Sequence, residues 1–375
     1  MTEFDNSLRR QSYSLPRLLT ELYDSLREQS ARLAEKYSRE DVRRVIFMGC
    51  GDSGAAAMAM RYNFRTLTGI ETEVVPVIDF SRHYPAGLLT SRTLVVIISV
   101  SGNGARIEEA VEKAVAAGAK TLAVTKDEQS GIGRQAEAVL KIDLPAFERG
   151  PGNRNYFGCM LALLLFAVEM GRCSHTLMPE QADQCCRELL EQGVALEQML
   201  PAMDKQISEI SRQWADLVNF DFVGAGDDYV NAWFGHAKVI EAVGAFATYN
   251  NSEEWFHMNN FYRNIKGCGT LLFATRNSGG ISRTKEAVQY AARIGRPVLV
   301  VTDEAADYFG AEAYYLAVPA ASWPPAALLT HYLPSCLLAG YIGAMKGERN
   351  CRGCLGPWEF AAGGASIKNS QKIIY

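Results

Sequence analysis

Two tandem doubly wound parallel α/β sheets, with a helical N-terminal segment and an extended C-terminal tail, are the fold class the sequence predicts. Three observations carry it. Residues 94–98, Leu-Val-Val-Ile-Ile, form an uninterrupted apolar run of the kind found in a strand buried on both faces. Small and turn-forming residues follow at 99–104, then a helical apolar pattern (Ile107, Ala110, Val111, Ala114, Val115) and a second apolar strand at 121–124, which makes one βαβ unit. The third observation is that the pattern occurs twice. Phe222-Val223-Gly224-Ala225-Gly226-Asp227 matches Phe47-Met48-Gly49-Cys50-Gly51-Asp52 at an offset of 175. Thr270-Leu271-Leu272-Phe273 matches Thr93-Leu94-Val95-Val96 at 177, and that offset also aligns Ser278-Gly279 with Ser101-Gly102 and Val301-Thr302 with Val124-Thr125.

In chain order, residues 6–38 carry leucines at helical spacing (Leu18, Leu19, Leu22, Leu26, Leu33) and predict an amphipathic helix, so 1–41 is set apart as an N-terminal helical segment. A first domain at 42–175 follows. It holds a strand at 45–48, the Gly49–Gly54 turn, an Ala/Met-rich helix to about Thr68, a strand at 73–77, the βαβ unit and a further strand at 139–142. A Gly/Asn/Pro loop at 148–155 leads into an apolar helix ending near Gly171. Residues 176–213 predict a polar linking helix or helix pair broken near Pro201. A second domain at 214–346 and a tail at 347–375 complete the chain.

Composition bounds the function. Hydrophobic residues make up 48% and charged residues 21%, values of a globular chain, and the net charge of −4 offers no basic face for nucleic acid. The start, MTEFDNSLRR, has no apolar segment of a secretory signal, and the apolar run at 160–170 is too short to span a bilayer. A cytoplasmic protein without membrane or nucleic-acid partners is expected. The nine cysteines read as free thiols, and Cys351-Arg352-Gly353-Cys354 lacks the second ligand pair that a zinc site needs, so no metal is expected.

The turn Ser99-Val100-Ser101-Gly102-Asn103-Gly104 stands where a parallel strand runs into a helix. Free backbone N–H groups at a helix N-terminus, with serine hydroxyls beside them, suit a phosphate; an ordinary serine-capped turn has the same pattern. At the 177 offset position 276 is Arg where the first half has Ser99, so one phosphate site is expected, in the first half. Gly49-x-Gly51-x-x-Gly54 fits a dinucleotide pattern, but no acidic residue follows at the distance a ribose needs. Among the five histidines, His83 and His175 lie in polar loops and His331 in an apolar helix. His236 and His257 belong to the segment that also holds Lys238, Glu241, Glu253 and Glu254. Glu241 between Ile240 and Ala242 is either paired with Lys238 one turn away or held as a base, and His257 beside Glu254 is a candidate proton donor. A carboxylate and a histidine with a phosphate turn suit ring opening of a phosphosugar and proton transfer next to a carbonyl or imine, which requires no metal or organic cofactor.

These residues resemble the tandem sugar-isomerase (SIS) domain family, including the isomerase half of glucosamine-6-phosphate synthase and the fructoselysine- and glucoselysine-6-phosphate deglycases. The resemblance covers residues 42–346 and implies a flavodoxin-like sheet in each domain. It rests on Gly49-Cys50-Gly51-Asp52-Ser53 and Ser99-Val100-Ser101-Gly102 in the first domain. In the second it rests on Gly224-x-Gly226-Asp227-x-Tyr229, Gly235, Lys238, Glu241 and Glu254-x-x-His257. It implies Ser53, Ser99, Ser101, Gly102 and Gly104 as phosphate-binding residues, and Gly51, Asp52, Asn153, Lys238, Glu254 and Lys368 as further substrate contacts. Glu241 is implied as the proton-transferring base and His257 as the ring opener, contributed by the second subunit of a homodimer whose active site lies at the subunit interface. Gly104 and Val100 replace a Thr and a Gln of the synthases, and position 2 is Thr, not the cysteine of a glutaminase domain. The expected function is a deglycase that cleaves a 6-phosphorylated ketosamine to hexose 6-phosphate and a free amine. Aldose–ketose isomerisation or deamination of an amino-sugar 6-phosphate uses the same residues, and a phosphosugar sensor without turnover is the reading from another class.

Overall fold

The computed structural model describes residues 3–148, 150–348, 352, 356–358 and 370–373. Their elements run α1 (Ser7–Arg39), β1 (Arg44–Gly49), α2 (Asp52–Thr68), β2 (Glu71–Val74), α3 (Val77–Arg82), β3 (Thr93–Ile98), α4 (Ala105–Ala116), β4 (Lys120–Thr125), α5 (Gly131–Gln135), β5 (Ala138–Lys141), α6 (Arg154–Cys173) and α7 (Pro179–Trp214). The second half gives β6 (Asn219–Gly224), α8 (Asp227–Val243), β7 (Phe246–Asn251), α9 (Glu254–His257), β8 (Cys268–Phe273), α10 (Ile281–Arg293), β9 (Val298–Thr302), β10 (Tyr314–Ala317) and α11 (Leu333–Met345). Two compact units result. The first-sheet unit comprises Arg17–Ala146, Arg154–Leu190 and Gly356–Tyr375; the second-sheet unit comprises Met1–Pro16, Phe147–Asn153 and Glu191–Leu355. The division falls inside α1 and α7, so each long helix contributes to both units.

In the first-sheet unit five parallel strands lie in the order β2-β1-β3-β4-β5. On one face Ile46, Met48, Val95 and Ile97 pack with Phe80 of α3 and Ile107 and Val111 of α4. On the other, Phe47 meets Phe64 of α2 at 5.0 Å between ring centroids, and Phe64 meets Phe166 of α6 at 5.9 Å. Helices on both faces explain why β3 is apolar at every position from Leu94 to Ile98.

The second sheet has the equivalent order, β10-β9-β8-β6-β7, also parallel throughout. Val223, Leu272 and Val300 pack on one face with Trp255, Val288 and Phe309. On the other face Phe222 lies against Gly235 of α8, where an added Cβ would stand 2.7 Å from the ring.

The internal repeat is present residue for residue in the first strand and helix of each sheet. β1 and β6 have six residues each and α2 and α8 seventeen, all at the offset of 175. The helices share their caps: Gly51 and Gly226 precede them at φ 57° and 62°, and Gly69 and Gly244 follow at φ 69° in both. The sequence match of Thr93 with Thr270 at 177 is not the structural equivalence. Arg44 pairs with Thr93 and Asn219 with Cys268, which keeps the third strands at 175. The two extra residues enter later, in the turn before α10 and in α10 itself. A two-residue slip leaves the same face of a strand inward, which is why the sequences align at either offset.

Two further expectations are corrected. α7 runs unbroken through Pro201, as α1 does through Pro16. α6 is a helix of 20 residues, long and apolar enough to cross a membrane, as is Pro324–Met345; in each, 89% of the apolar window is buried within the fold. α3 and β7 were not legible as elements.

Among the described glycines of the second unit, Gly224 makes the tightest approach to backbone, since a Cβ there would stand 2.2 Å from the Asp228 carbonyl oxygen. Gly224→Ala is therefore expected to cost about 1–3 kcal/mol, read from the urea midpoint. Gly279→Ala, with open space around it, should stay within about 0.5 kcal/mol of wild type. Equal effects would contradict the close-approach account.

Candidate functional site

In both sheets the chain reverses its winding between the first and third strands, β1/β3 and β6/β8. Open α/β sheets bind ligands in the crevice at the carboxyl ends of such a pair. In the first-sheet unit the turns at this crevice are residues 50–53 and 99–104. Gly51 caps α2 and Gly104 caps α4, neither with a side-chain hydrogen bond to the helix. The first N–H groups of α2 are thus left for a ligand or solvent.

Ser99 shapes its own turn. Its hydroxyl and carbonyl oxygens accept the Gly102 N–H at 3.2 and 3.0 Å, and its N–H donates to Val124 O at 3.0 Å. Gly102 sits at φ 65°, and a Cβ there would lie 2.0 Å from Ser130 Oγ, so only glycine fits. The Val100 carbonyl accepts from Thr125 Oγ1 at 3.2 Å and from the Lys126 N–H at 3.2 Å, tying the turn to the end of β4. The Asn103 side chain spans the loop, donating to Ser101 O at 2.8 Å and accepting the Gly131 N–H at 2.9 Å. The hydroxyls of Ser53 and Ser101 take no hydrogen bond among the described residues. Ser53 is half-buried and Ser101 exposed. Asp52 contributes a carboxylate to the first turn of α2.

The equivalent crevice of the second-sheet unit is closed by its own side chains. Asp228 holds the position of Ser53. Its carboxylate accepts the Thr275 N–H at 2.9 Å and the Thr275 hydroxyl at 2.6 Å. The Arg276 N–H goes to Asp303 Oδ1 at 2.6 Å, and the Arg276 guanidinium pairs with Glu304. Donors that the first turn leaves open are satisfied here by carboxylates of the protein.

The other candidates of this unit lie on α8 and on the turn after β7. Lys238 is wholly buried beneath α8, with its Nζ over the Phe234 ring at 4.6 Å and 2.7 Å from Glu241 Oε2; the Glu241 side chain is 42% exposed. The Lys238–Glu241 ion pair is therefore formed. His257 is 65% exposed, and its Nε2 lies 3.3 Å from Glu253, not Glu254, because Glu253 stands one helical turn before it. Glu254 is exposed, and its N–H donates to Asn251 Oδ1 at 2.8 Å. His236 stacks on Tyr249 at 4.4 Å, with burial pushing its pKa down.

Asn153 does not join the candidate site. It is fully buried, and its amide donates to Ser12 Oγ at 3.0 Å while its N–H donates to Gln11 Oε1 at 2.9 Å, so its polar groups hold the N-terminal helix. His331 precedes α11 in a turn and is not inside a helix. Its two ring nitrogens lie 3.1 Å from Thr275 Oγ1 and 2.8 Å from Pro319 O. Lys368, Cys351 and Cys354 lie outside the described residues. No group of three or more His, Cys, Asp or Glu among the described residues is placed to hold a metal.

The family model of the SIS domain matches residues 40–169, the stretch that holds both serine turns. In that stretch the chain is similar to a SIS domain.

The chain is also 31% identical over 203 residues to a glutamine–fructose-6-phosphate aminotransferase (isomerizing) of Methanothermobacter thermautotrophicus, a match that covers 54% of this chain and 32% of the relative. The matched region thus spans about a third of the length of that curated relative. Among solved structures, the C-terminal domain of glucosamine-fructose-6-phosphate aminotransferase from Francisella tularensis superimposes with a TM-score of 0.83 at 17% identity, over 94% of this chain and 98% of that one. The tagatose-6-phosphate ketose/aldose isomerase of Escherichia coli does so with a TM-score of 0.74 at 18% identity, over 92% and 94%. At these identities the structures show a shared fold of two tandem α/β domains.

Outside the matched residues, the second crevice carries the most perturbed carboxylate among the described residues. Burial pushes the Asp228 pKa up to about 6, against the pull of the Thr275 hydrogen bonds. A folded-state pKa above the unfolded one adds stability that is full below the unfolded value and lost as pH rises through about 6. Asp228→Asn is accordingly expected to gain on the order of 2–3 kcal/mol on wild type between pH 4 and pH 7, measured by urea unfolding of both proteins. A difference independent of pH would contradict a buried, raised carboxylate.

Proposed function

We propose that the protein is a cytoplasmic enzyme that moves a proton between C1 and C2 of a 6-phosphorylated sugar, and that its reaction is deglycation of a ketosamine 6-phosphate. The observation that carries the ligand class is the contrast between the crevices. The Ser53 and Ser101 hydroxyls and the uncapped start of α2 stand open in the first, where the second has spent its donors on Asp228 and Asp303. A dianion at a helix N-terminus with hydroxyl donors is a stable arrangement. All three similar proteins named above bear the name of a 6-phosphorylated ketose, which supports the same ligand class here.

In this reading Ser53, Ser99 and Ser101 hold the phosphate with the Gly102 and Gly104 backbone. His257, supplied by the partner of a homodimer, opens the sugar ring by passing a proton to O5. Glu241, held by the buried Lys238, takes the proton from C1 and returns it to C2 through an enaminol. This converts the ketosamine to an imine at C1. Water then adds to the imine carbon and the amine leaves, which gives an aldose 6-phosphate. The same proton transfer without an amine is ketose–aldose isomerisation.

Hexose 6-phosphate release from fructoselysine, glucoselysine and fructose-asparagine 6-phosphates, glucosamine 6-phosphate and fructose 6-phosphate tests this. Release from a ketosamine is expected. Turnover of only the last two would replace deglycation by isomerisation or deamination, and binding without turnover would make the protein a sensor. Glu241→Gln should lower kcat by at least about 100-fold with binding intact. Ser101→Ala should raise KM about tenfold or more, the value of one hydrogen bond to a charged group.

A further inference from the structure

The turn that carries His257 is fastened to a buried ion pair. Asp221 and Arg296 are each fully buried, with Arg296 Nη1 2.9 Å from Asp221 Oδ2. Asp221 lies in the centre of β6 between Phe220 and Phe222. Its register partners are Thr248 on β7 and Thr270 on β8. Thr248 donates its hydroxyl to Asp221 Oδ1 at 3.0 Å, and Thr270 Oγ1 accepts from Arg296 at 3.2 Å. One polar row therefore crosses three adjacent strands.

The remaining acceptor capacity of Asp221 points at the turn after β7. The indole N–H of Trp255 donates to Oδ2 at 2.7 Å, and the side-chain amide of Asn259 donates to Oδ1 at 2.7 Å. Arg296 also donates to the Asn259 carbonyl, and its guanidinium lies 5.3 Å from the Trp255 ring centroid and 5.5 Å from that of Tyr262. A third fastening lies ahead of these, where Ser252 Oγ meets Thr284 Oγ1 at 2.7 Å. Trp255 and Asn259 flank His257 at two residues on either side. The histidine itself is exposed and, among the described residues, has only Glu253 as a polar partner. Its backbone is fixed at both sides while its ring is left to solvent.

A buried ion pair contributes little net stability, because desolvation offsets its attraction. Its value lies in geometry, and here the geometry converges on the turn from Trp255 to Asn259. We infer that Asp221 and Arg296, acting through Trp255 and Asn259, are positioning residues that hold His257 for the ring-opening proton transfer. This rests on the function proposed above.

The test compares two substrates. One is a ring-forming ketosamine or ketose 6-phosphate that the enzyme turns over. The other is its 5-deoxy analogue, which lacks O5, cannot close to the furanose and needs no ring opening. Trp255→Phe and Asn259→Ala remove one fastening each and leave the ion pair in place, so both are expected to fold; thermal melting confirms it. On the ring-forming substrate kcat should fall roughly 10- to 100-fold, with KM changed less than about threefold, and His257→Ala should fall further. On the 5-deoxy analogue all three should keep kcat within about threefold of wild type. Equal losses on both substrates, or none on either, would overturn the inference and leave the function standing. A wild type that turns over neither substrate would overturn the function, and the inference with it.

Discussion

No side chain fits at Gly49 or Gly224. A Cβ at Gly49 would stand 2.5 Å from the Ser53 carbonyl oxygen, and one at Gly224 would stand 2.2 Å from that of Asp228. The first strand of each sheet therefore runs into its helix at the closest approach the backbone allows. A second glycine, Gly51 or Gly226, makes the reversal at positive φ. This constraint fixes the helix N-terminus over the carboxyl edge of the sheet. It places residue 53 in one unit and residue 228 in the other at the winding-reversal crevice, whatever side chain stands there.

The duplicated frame then diverges by what it does with the same donors. A serine at the first position leaves a hydroxyl and a helix terminus open. An aspartate at the second turns inward and takes the N–H and hydroxyl of Thr275. A carboxylate within the protein occupies the role that an external anion would have. With its crevice donors taken by its own carboxylates, the second unit carries its distinctive polar groups elsewhere: Lys238 beneath Glu241, and the Asp221–Arg296 pair beneath the His257 turn. The two units of one fold thus present different chemistry, consistent with the rule that function lives in sites grafted onto folds.

Much of this was legible in the sequence because it is local. Strand, glycine turn and helix are encoded within about twenty consecutive residues, and they recur at offsets of 175 and 177. Where the offset changes from 175 to 177 was not legible, because strands tolerate a two-residue shift without exchanging faces. Pro201 read as a break, yet α7 continues through it. The partner of His257 was misjudged as its nearer neighbour Glu254; helical spacing points to Glu253, four residues back. The buried pair left one unread signal, a lone aspartate between two phenylalanines at 220–222. Its partner Arg296 lies 75 residues away, and no local pattern connects them. Asn153 stands in a Gly/Asn/Pro loop, and only the fold shows its contacts with Gln11 and Ser12.

The most direct test of the account is a crystal structure with a hexose 6-phosphate bound. The phosphate is expected at the first-sheet crevice, within hydrogen-bond distance of the Ser53 and Ser101 hydroxyls and of the first N–H groups of α2. A phosphate seated away from those turns, or at the Thr275–Gly280 turn of the second sheet, would contradict it.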